Sequence, residues 1–425
     1  MTEKLSLLMN SIPVGTLIRK SNGAISFEYA STWLEREYPI PISRQLPLQE
    51  KPFSDARVRT YFDNLLPDDL RVREKLAAQS KAGSAQVFDL LSALGRDCVG
   101  ALQFYPETDD HEKPKAAYGT PISDTQIAKL IQNLRLNPLG IGNQPDFRIS
   151  LAGAQNKTAL LYHEGRWMLP GGVTPTTHIL KPAIGKIPDG PDFSLSVENE
   201  WLCLEILRAY GLNVADTEII DFKDTRALSI KRFDREWSGK KLLRIPQEDL
   251  CQALGVGPEK KYETDGGPGI GSILSLLNES NDRDRDRTDF MKTQLIFWII
   301  AAIDSHAKNF SAFIQPHGFT MTPLYDVMSA DPHVNAQTLP EEKLKLAMAV
   351  GDKRYYKIKE IQTRHWLQTA KKYKFSGMEN IISEVTHQTS QVIESSIRKL
   401  PKGFPKKVSE PIFKMMLKRV KLLET

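Results

Sequence analysis

The feature that most constrains this chain is a dense polar cluster directly after a long apolar segment. Residues 295–303 are nine consecutive apolar residues, and Asp304, His306, Lys308 and Asn309 follow them. An aspartate can accept a proton from an incoming hydroxyl, and an asparagine offers the hard oxygen that Mg²⁺ prefers. Lys308 would neutralise charge on a transferred phosphoryl group. The alternative is a plain helix C-terminus, where His306 and Lys308 interact favourably with the negative end of the helix dipole.

Asp304 and Asn309 are five residues apart, which is the spacing of the Asp and Asn in a protein-kinase catalytic loop. Asp326 follows 17 residues after Asn309, behind an apparent hairpin, where a kinase places its second metal ligand. The aromatic Tyr325 precedes Asp326, so the segment is not D-F-G, and a turn-forming aspartate is the alternative. Asp304 and His306 would also fit a metal hydrolase, but no further ligand lies at a suitable helical spacing.

Upstream, a small-residue turn precedes a lysine. Residues 152–156 read Ala-Gly-Ala-Gln-Asn, and Lys157 follows. Small residues let backbone N–H groups approach phosphate oxygens, although this motif taken alone more often forms a plain hairpin turn. Lys181 lies in an apolar strand, where a kinase lysine would hold phosphates and pair with a helix glutamate. We expect Glu200 rather than Glu198 to be that partner; a surface lysine is the alternative.

The order of predicted elements indicates the fold class. Strands are expected around the 152–156 turn, including one over 147–151, and a helix follows from Ser196. A helix is expected over 246–254, and the pattern stays helical beyond it. Upstream of the turn, Asn22-Gly23 predicts a hairpin. The sequence therefore predicts an α+β, protein-kinase-like two-lobed fold with a β-rich N-lobe, an extra N-terminal α+β module and an all-helical C-lobe.

Four domains or segments follow from this order. They are an N-terminal, partner-binding α+β subdomain (1–105), a linker and lead-in (106–145), the kinase-like N-lobe (146–235), and the helical C-lobe with its basic tail (236–425). The 425-residue length is sufficient for such a two-lobed unit.

The net charge and the cysteine content limit the partners and the cellular compartment to be expected. The net charge is +5, but residues 398–425 contain nine Lys or Arg and two acids, so the tail carries +7 and the remainder −2. A basic tail can contact nucleic acid or an acidic partner, although a solvated helix face is the simpler interpretation. Three distant cysteines support neither disulfides nor a zinc site. No apolar run reaches a membrane span and the N-terminus predicts no signal peptide, so we expect a cytoplasmic protein without a membrane partner.

Several motifs in order resemble the HipA family of bacterial serine/threonine-protein kinases, the toxins of type II toxin–antitoxin systems. The resemblance covers residues 146–400, and the motifs lie at 148–161, 177–181, 232–235, 246–249, 261–269, 304–310 and 325–326. The N-terminal module and the overall length also fit the family.

The resemblance implies an enzyme that uses ATP and Mg²⁺. The catalytic residues would be Asp304, His306 and Lys308, and the metal ligands Asn309 and Asp326. The ATP-binding residues would be Ala152, Gly153, Ala154, Gln155, Asn156, Lys157, Lys181, Lys231, Phe233 and Gln247. Ser150 matches the family's autophosphorylated serine, where a phosphate would add charge beside the phosphate loop and switch the enzyme off.

The resemblance also implies partners. Family members phosphorylate glutamyl-tRNA synthetase or related translation proteins, which arrests growth and promotes persistence. A HipB-like helix-turn-helix antitoxin holds them on operator DNA as a repressor, which would make the chain nucleoid-associated in that complex. Two other functions stay open at this stage. They are a kinase of a lipid or small molecule, and a DNA-bound corepressor with an idle kinase site.

Overall fold

A computed structural model describes residues 2–107, 116–141, 148–153, 155–188 and 190–424. The strands in these ranges are β1 Glu3–Met9, β2 Ile12–Arg19, β3 Ile25–Tyr29, β4 Leu102–Pro106, β5 Gly119–Pro121, β6 Thr158–His163, β7 Arg166–Pro170, β8 His178–Pro182, β9 Gly185–Lys186, β10 Asp192–Phe193, β11 Thr217–Phe222, β12 Thr225–Lys231, β13 Arg235–Ser238, β14 Lys241–Arg244, β15 Gln247–Asp249, β16 Ser311–Gln315, β17 Gly318–Met321, β18 Lys345–Val350 and β19 Tyr355–Lys357.

The helices in the same ranges are α1 Ser31–Leu34, α2 Asp55–Asp63, α3 Leu70–Ser80, α4 Val87–Leu94, α5 Asp124–Gln132, α6 Ser196–Ala209, α7 Leu250–Leu254, α8 Ile270–Leu276, α9 Arg283–Ile299, α10 Asp331–Asn335, α11 Thr363–Lys372, α12 Met378–Lys399 and α13 Lys406–Lys421. Short 3₁₀ turns connect several of these helices and strands.

The chain forms two compact units. The sheet unit comprises Met1–Pro182, Ile220–Glu259 and Ala312–Phe319. The helical unit comprises Ala183–Ile219, Lys260–Ser311 and Thr320–Thr425. The four linear segments expected from the sequence remain a prediction. Residues 119–132 of the expected linker form β5 and α5, and a reciprocal capping box at Ser123 and Gln126 starts α5.

The sheet unit contains two main sheets. The first has the strand order β3-β2-β1-β4, and the second has the order β11-β12-β8-β6-β7-β5. The predicted hairpin at Asn22-Gly23 is confirmed: β2 pairs antiparallel with β3, and Gly23 adopts the positive φ of 81° that the turn requires. Alternate residues of β1 and β3 face a core in which Phe27, Phe62 and Phe104 make edge-to-face contacts.

Two local predictions were wrong. The helix expected over 246–254 starts only at Leu250, because β15 occupies Gln247–Asp249 and Asp249 caps the helix by accepting from the Gln252 backbone N–H at 2.8 Å. The strand expected over 147–151 is reduced to a single bridge between Ile149 and Asp97, and Phe147 lies outside the described residues. In both places tertiary pairing overrides local propensity.

The helical unit packs around α9. All residues from Phe290 to Ile299 are buried, so this part of the helix is enclosed on every side. The expectation of an all-helical C-lobe over 236–425 was wrong in detail, because strands β14 to β19 lie within those residues. In the helical unit itself, β18 and β19 form an antiparallel hairpin. Gly351 and Arg354 have positive φ in the turn that joins them. The two-lobed α+β class itself is confirmed.

The basic tail folds as α13. Its lysines are exposed, whereas Arg419 is buried and donates two hydrogen bonds to Asp331 at 2.6 and 2.8 Å. Arg419 also donates to the Ile299 carbonyl at 2.7 Å, so the tail helix holds the C-terminal end of α9. In the described part of the chain, every helix is too short or too polar to cross a lipid bilayer.

Candidate active site

The catalytic-loop residues follow the buried end of α9. The chain leaves the helix through Ala301, which adopts a left-handed φ of 50°. Asp304 is then exposed, with 64% of its side chain accessible, whereas His306 and Lys308 are buried. Residues 307–309 form one 3₁₀ turn that closes the loop. The apolar helix therefore anchors the loop and presents one carboxylate to solvent.

The Asp304 carboxylate has two aromatic neighbours in the helical unit. The Tyr262 hydroxyl donates a hydrogen bond to Asp304 Oδ1, and His306 Nε2 lies 3.9 Å from the same oxygen. The Asn309 side chain donates through Nδ2 to the Asp304 backbone carbonyl at 2.8 Å. This bond holds Asp304 and Asn309 in fixed relation and uses the nitrogen end of the asparagine amide.

His306 is a buried, neutral group. Burial lowers the pKa of its imidazole, and the nearby Asp304 carboxylate only partly opposes that effect. The His306 ring lies edge-to-face with the Tyr262 ring, at 4.8 Å and 84°. Its Nδ1 atom has no hydrogen-bond partner within the described residues. These contacts suit a residue that supports loop geometry.

Tyr325 links the catalytic loop to the segment that carries Asp326. The Tyr325 hydroxyl donates to the Lys308 carbonyl at 3.1 Å and is 2.5 Å from Ser311 Oγ. Asp326 follows directly, half-buried, with a left-handed φ of 58° that is uncommon outside glycine. The structure therefore brings Asp304, Asn309 and Asp326 into one connected part of the helical unit.

The donor set fits Mg²⁺. Asn309 donates through its side-chain nitrogen, so its Oδ1 is the atom that would coordinate a metal, and Asp326 would offer a carboxylate. Mg²⁺ is typically held by one or two such oxygens together with substrate phosphates and water. Over the described ranges, His, Cys, Asp and Glu side chains nowhere form a group of three that would hold a metal ion.

The expected phosphate loop lies in the sheet unit. Gly153 adopts a φ of 98°, and Ala154 lies outside the described residues. Lys157 is buried, and its ammonium donates to the Ala152 carbonyl at 2.7 Å. Gln155 donates to the Pro182 carbonyl at 3.2 Å, which ties the loop to the strand of Lys181. Lys157 and Lys181 thus belong to one local structure.

Lys181 is buried in β8, where it lies opposite Leu228 of β12. Glu198 and Glu200 are both buried on α6 in the helical unit. The choice of Glu200 as the partner of Lys181 stays a prediction.

The remaining residues expected at the nucleotide lie near the end of β12 and in β15. Lys231 is exposed at the last position of β12, opposite His178. Phe233 is half-buried, with its ring edge-to-face against Phe313 at 5.9 Å. Gln247 is buried, and its Oε1 has no hydrogen-bond partner within the described residues. Their assignment to ATP stays a prediction.

Ser150 is fully buried. Its hydroxyl donates to the Leu65 carbonyl at 2.8 Å, and its backbone N–H donates to the Asp97 carbonyl at 3.1 Å. A phosphate on Ser150 therefore requires the segment to leave this position.

Sequence reasoning missed a buried charge network that supports this region. Asp97 accepts from Arg235 at 2.9 Å, from Arg244 at 3.1 Å and from Arg232 at 3.3 Å. Asp234 accepts from Arg232 at 2.7 Å and from the Gly100 N–H, also at 2.7 Å. The three arginines hold the pKa of Asp97 far below its usual range against the opposing effect of burial. The motif at 232–235 was visible in the sequence, but Asp97 lies 135 residues from Arg232.

The two-lobed α+β fold is the fold of protein-kinase-like enzymes, and the loop after α9 lies where their catalytic loop is expected. A family model of the HipA-like C-terminal domain matches residues 149–393, and one of the HipA N-terminal domain matches residues 5–105. The chain therefore belongs to the HipA family of kinases, as the sequence motifs predicted.

Individual relatives agree with this assignment. The protein Y4mE of Sinorhizobium fredii is 33% identical over 396 residues, which cover 91% of this chain and 89% of that protein. The serine/threonine-protein kinase toxin HipA of Shewanella oneidensis is 26% identical over 365 residues, covering 83% and 79%. A solved complex of Shewanella oneidensis HipA with HipB and operator DNA contains a chain that matches with a TM-score of 0.81, 22% identity and 99% coverage of both chains. At that identity the structural likeness establishes the fold.

Proposed function

We propose that this chain is an ATP- and Mg²⁺-dependent serine/threonine-protein kinase that acts as the toxin of a type II toxin–antitoxin pair. The observation that carries the proposal is the loop in which Asn309 binds the Asp304 backbone and Tyr325 ties the Asp326 segment to Lys308. A proton acceptor and two metal-ligand candidates thereby lie in one connected structure. The Shewanella relative named as a kinase toxin supports the biological role.

Each residue has a defined task in this proposal. Asp304 orients the substrate hydroxyl and accepts its proton, and Lys308 balances charge on the transferred group. Lys157 and Lys181, with the 152–156 backbone, bind phosphate oxygens. Asn309 and Asp326 would hold Mg²⁺, which would supply charge neutralisation at the ATP phosphates. Most of the rate enhancement comes from positioning and electrostatic stabilisation.

Substrate and partners are assigned by resemblance. The substrate is a serine or threonine of a translation protein such as glutamyl-tRNA synthetase, and its modification would arrest growth and promote persistence. A HipB-like helix-turn-helix antitoxin would hold the chain on operator DNA in the cytoplasm. The solved complex of the Shewanella relative contains those two kinds of partner. The exposed lysines of α13 are available to contact phosphate groups.

Ser150 would serve as the autophosphorylation site. Because its hydroxyl is buried against the Leu65 carbonyl, a phosphoserine carrying about −1.5 to −2 charges cannot return to the same position. The modified segment would stay displaced together with the adjoining phosphate loop. Phosphorylation would therefore lock the enzyme in an inactive state.

The deciding experiment is intact-mass analysis with phosphosite mapping after incubation of dephosphorylated protein with Mg-ATP. Wild type should gain one phosphate on Ser150 and should phosphorylate a protein acceptor. Asp304→Ala should do neither, while Asp352→Ala, which changes an exposed aspartate of the same unit, should behave as wild type. Transfer to lipid or a small molecule alone would point to the other kinase class.

A second measurement tests the partner assignment. In a reporter assay with the cognate antitoxin, Asp304→Ala should keep operator repression and lose growth arrest. Growth arrest that persists in Asp304→Ala would contradict the toxin proposal and favour a corepressor whose kinase site is idle.

A further inference from the structure

A loop from a distant part of the sequence places a phenol on the candidate catalytic aspartate. Tyr262 is 42 residues from Asp304, and its hydroxyl donates to Asp304 Oδ1. Its ring simultaneously packs edge-to-face on His306 at 4.8 Å. Tyr262 lies in the 261–269 motif of the family resemblance, but no catalytic or binding role follows for it from the sequence.

The loop is held firmly enough to act as a platform. The Tyr262 carbonyl accepts from the backbone N–H groups of Asp265 at 3.0 Å and Gly267 at 2.9 Å. A Cβ atom on Gly267 would lie 1.9 Å from the Lys260 carbonyl oxygen, so only glycine permits this close turn. The backbone conformation of Tyr262 is therefore set within the loop itself.

A second anchor joins the loop to the β18–β19 hairpin. Glu263 Oε2 accepts from the Ala349 backbone N–H at 2.6 Å, and Glu263 Oε1 accepts from Arg354 at 3.1 Å. The Glu263 side chain is mostly buried, and a Cβ atom on Gly269 would lie 2.4 Å from its carboxyl carbon. These contacts fix the residue next to Tyr262, so the phenol is positioned by tertiary structure rather than by a flexible tether.

The Tyr262 hydroxyl restricts the rotation of the exposed Asp304 carboxylate. An exposed aspartate samples several rotamers, whereas proton transfer needs one carboxylate oxygen held towards the acceptor. We infer that Tyr262 is a positioning residue for phosphoryl transfer: its phenol fixes Oδ1 of Asp304 and leaves Oδ2 to receive the substrate proton. This inference rests on the proposed kinase function and assigns Tyr262 a part in it.

Phosphoryl transfer then requires no change in the protonation of Tyr262. The substrate oxygen forms a bond to the γ-phosphorus of ATP, and the bond from that phosphorus to the β,γ-bridging oxygen breaks. ADP leaves with the electron pair, the hydroxyl proton passes to Asp304 Oδ2, and the Tyr262 phenol keeps its own proton throughout. In this proposal the Tyr262 hydroxyl acts through Asp304, so its effect can be separated by a double-mutant cycle.

The test compares Tyr262→Phe, Asp304→Ala and the double variant in steady-state phosphorylation of a protein acceptor. Tyr262→Phe keeps the ring on His306 and loses the hydroxyl, so we expect kcat to fall about 10- to 100-fold, the scale of misplacing a catalytic group. The KM for ATP should stay within about twofold, because no nucleotide contact is assigned to Tyr262. Tyr38→Phe, which removes the hydroxyl of an exposed tyrosine in the sheet unit, should leave kcat unchanged.

The double variant gives the decisive result. If Tyr262 acts through Asp304, the double variant should be no slower than Asp304→Ala alone. Multiplicative losses, or a Tyr262→Phe variant with wild-type kcat, would overturn the inference while leaving the kinase proposal intact. Equal activity of wild type and Asp304→Ala would show that Asp304 is not the proton acceptor and would overturn the inference. A folded wild type with no phosphoryl transfer above background would instead remove the kinase proposal, and the inference with it. Thermal melting of each variant excludes unfolding as the cause.

Discussion

Asn199 on α6 and Ser329 exchange two hydrogen bonds across 130 residues of sequence. Asn199 Nδ2 donates to the Ser329 carbonyl at 2.8 Å, and the Ser329 N–H donates to Asn199 Oδ1 at 2.9 Å. Both residues are buried, and Ser329 lies three residues after Asp326. The Asn199 side chain therefore pairs with both backbone polar groups of Ser329, in the segment that follows the metal-ligand candidate Asp326.

Replacing this asparagine should weaken the helical unit. Asn199→Ala leaves a buried N–H and a buried carbonyl without their partner, and each unsatisfied group costs about 1–3 kcal/mol. We expect the free energy of unfolding to fall by about 2–4 kcal/mol, measured by chemical denaturation. Asn335→Ala, at an exposed position of α10, is the matched control. A loss equal to that of the control would show that the pair contributes nothing.

The buried charge network predicts that replacing Asp97 costs much more stability than replacing the exposed Asp221. Asp97→Asn leaves three buried arginines with one carboxylate fewer, and breaking a buried pair typically costs about 3–5 kcal/mol. Asp221→Asn breaks an exposed bidentate pair with Arg226, where about 0–1 kcal/mol is expected. Urea denaturation of both variants measures the contrast. Similar losses in the two variants would contradict the structural role of the network.

Glu248 predicts a specific pH dependence. Burial raises the pKa of its carboxyl to about 7, against the hydrogen bonds from Ser43 Oγ at 2.5 Å and from the Arg44 N–H at 3.0 Å, and the neighbouring Asp249 carboxylate raises it further. The pKa of Glu248 is higher in the folded protein than in the unfolded chain, so protonated Glu248 favours the folded state. This contribution to stability is fully present below about pH 4.5 and is lost as pH rises to about 7.

Glu248→Gln keeps the shape and removes the titration. Its amide oxygen can accept from the Arg44 N–H, and its amide NH2 then faces the Ser43 hydroxyl as a donor. We therefore expect the variant to gain stability relative to wild type as pH rises from 5 to 8, by at most about 3 kcal/mol. Denaturation midpoints across that pH range measure the difference. A constant difference between the two proteins would show that Glu248 does not titrate in the folded state.

Two glycines with positive φ, Gly153 in the expected phosphate loop and Gly165 in the β6–β7 turn, should differ in their effect on ATP affinity. A Cβ on Gly153 would lie 2.7 Å from Lys157 Nζ, whereas a Cβ on Gly165 would meet nothing within 4 Å. Gly153→Ala should lower ATP affinity about tenfold or more, because it combines strain with displacement of the lysine, while Gly165→Ala should cost about 1 kcal/mol of stability only. Calorimetric titration with ATP, together with thermal melting, separates these effects. Equal ATP affinities would count against a nucleotide role for the loop.

Much of the helical unit could be read from the sequence. The apolar run that ends α9 and the polar residues after it are contiguous, so their periodicity and spacing were visible without a structure. Asn22-Gly23 likewise determined a hairpin locally. One prediction failed where the pairing partner is distant in sequence, because β15, which pairs with β16, replaced the first turn of an expected helix. The expected helical half was also interrupted by β18 and β19, which form a local hairpin.

The sequence by itself determined the family to which the chain belongs and predicted the residues that would carry chemistry, because candidate catalytic groups and turn glycines cluster over a few adjacent positions. Tertiary structure alone decided which groups support them. Tyr262 lies on Asp304, Asn199 holds Ser329, and Asp97 gathers three arginines, each across 42 to 147 residues. Hydrogen bonds and charge pairs depend on proximity in space, which chain folding creates and local sequence patterns do not encode.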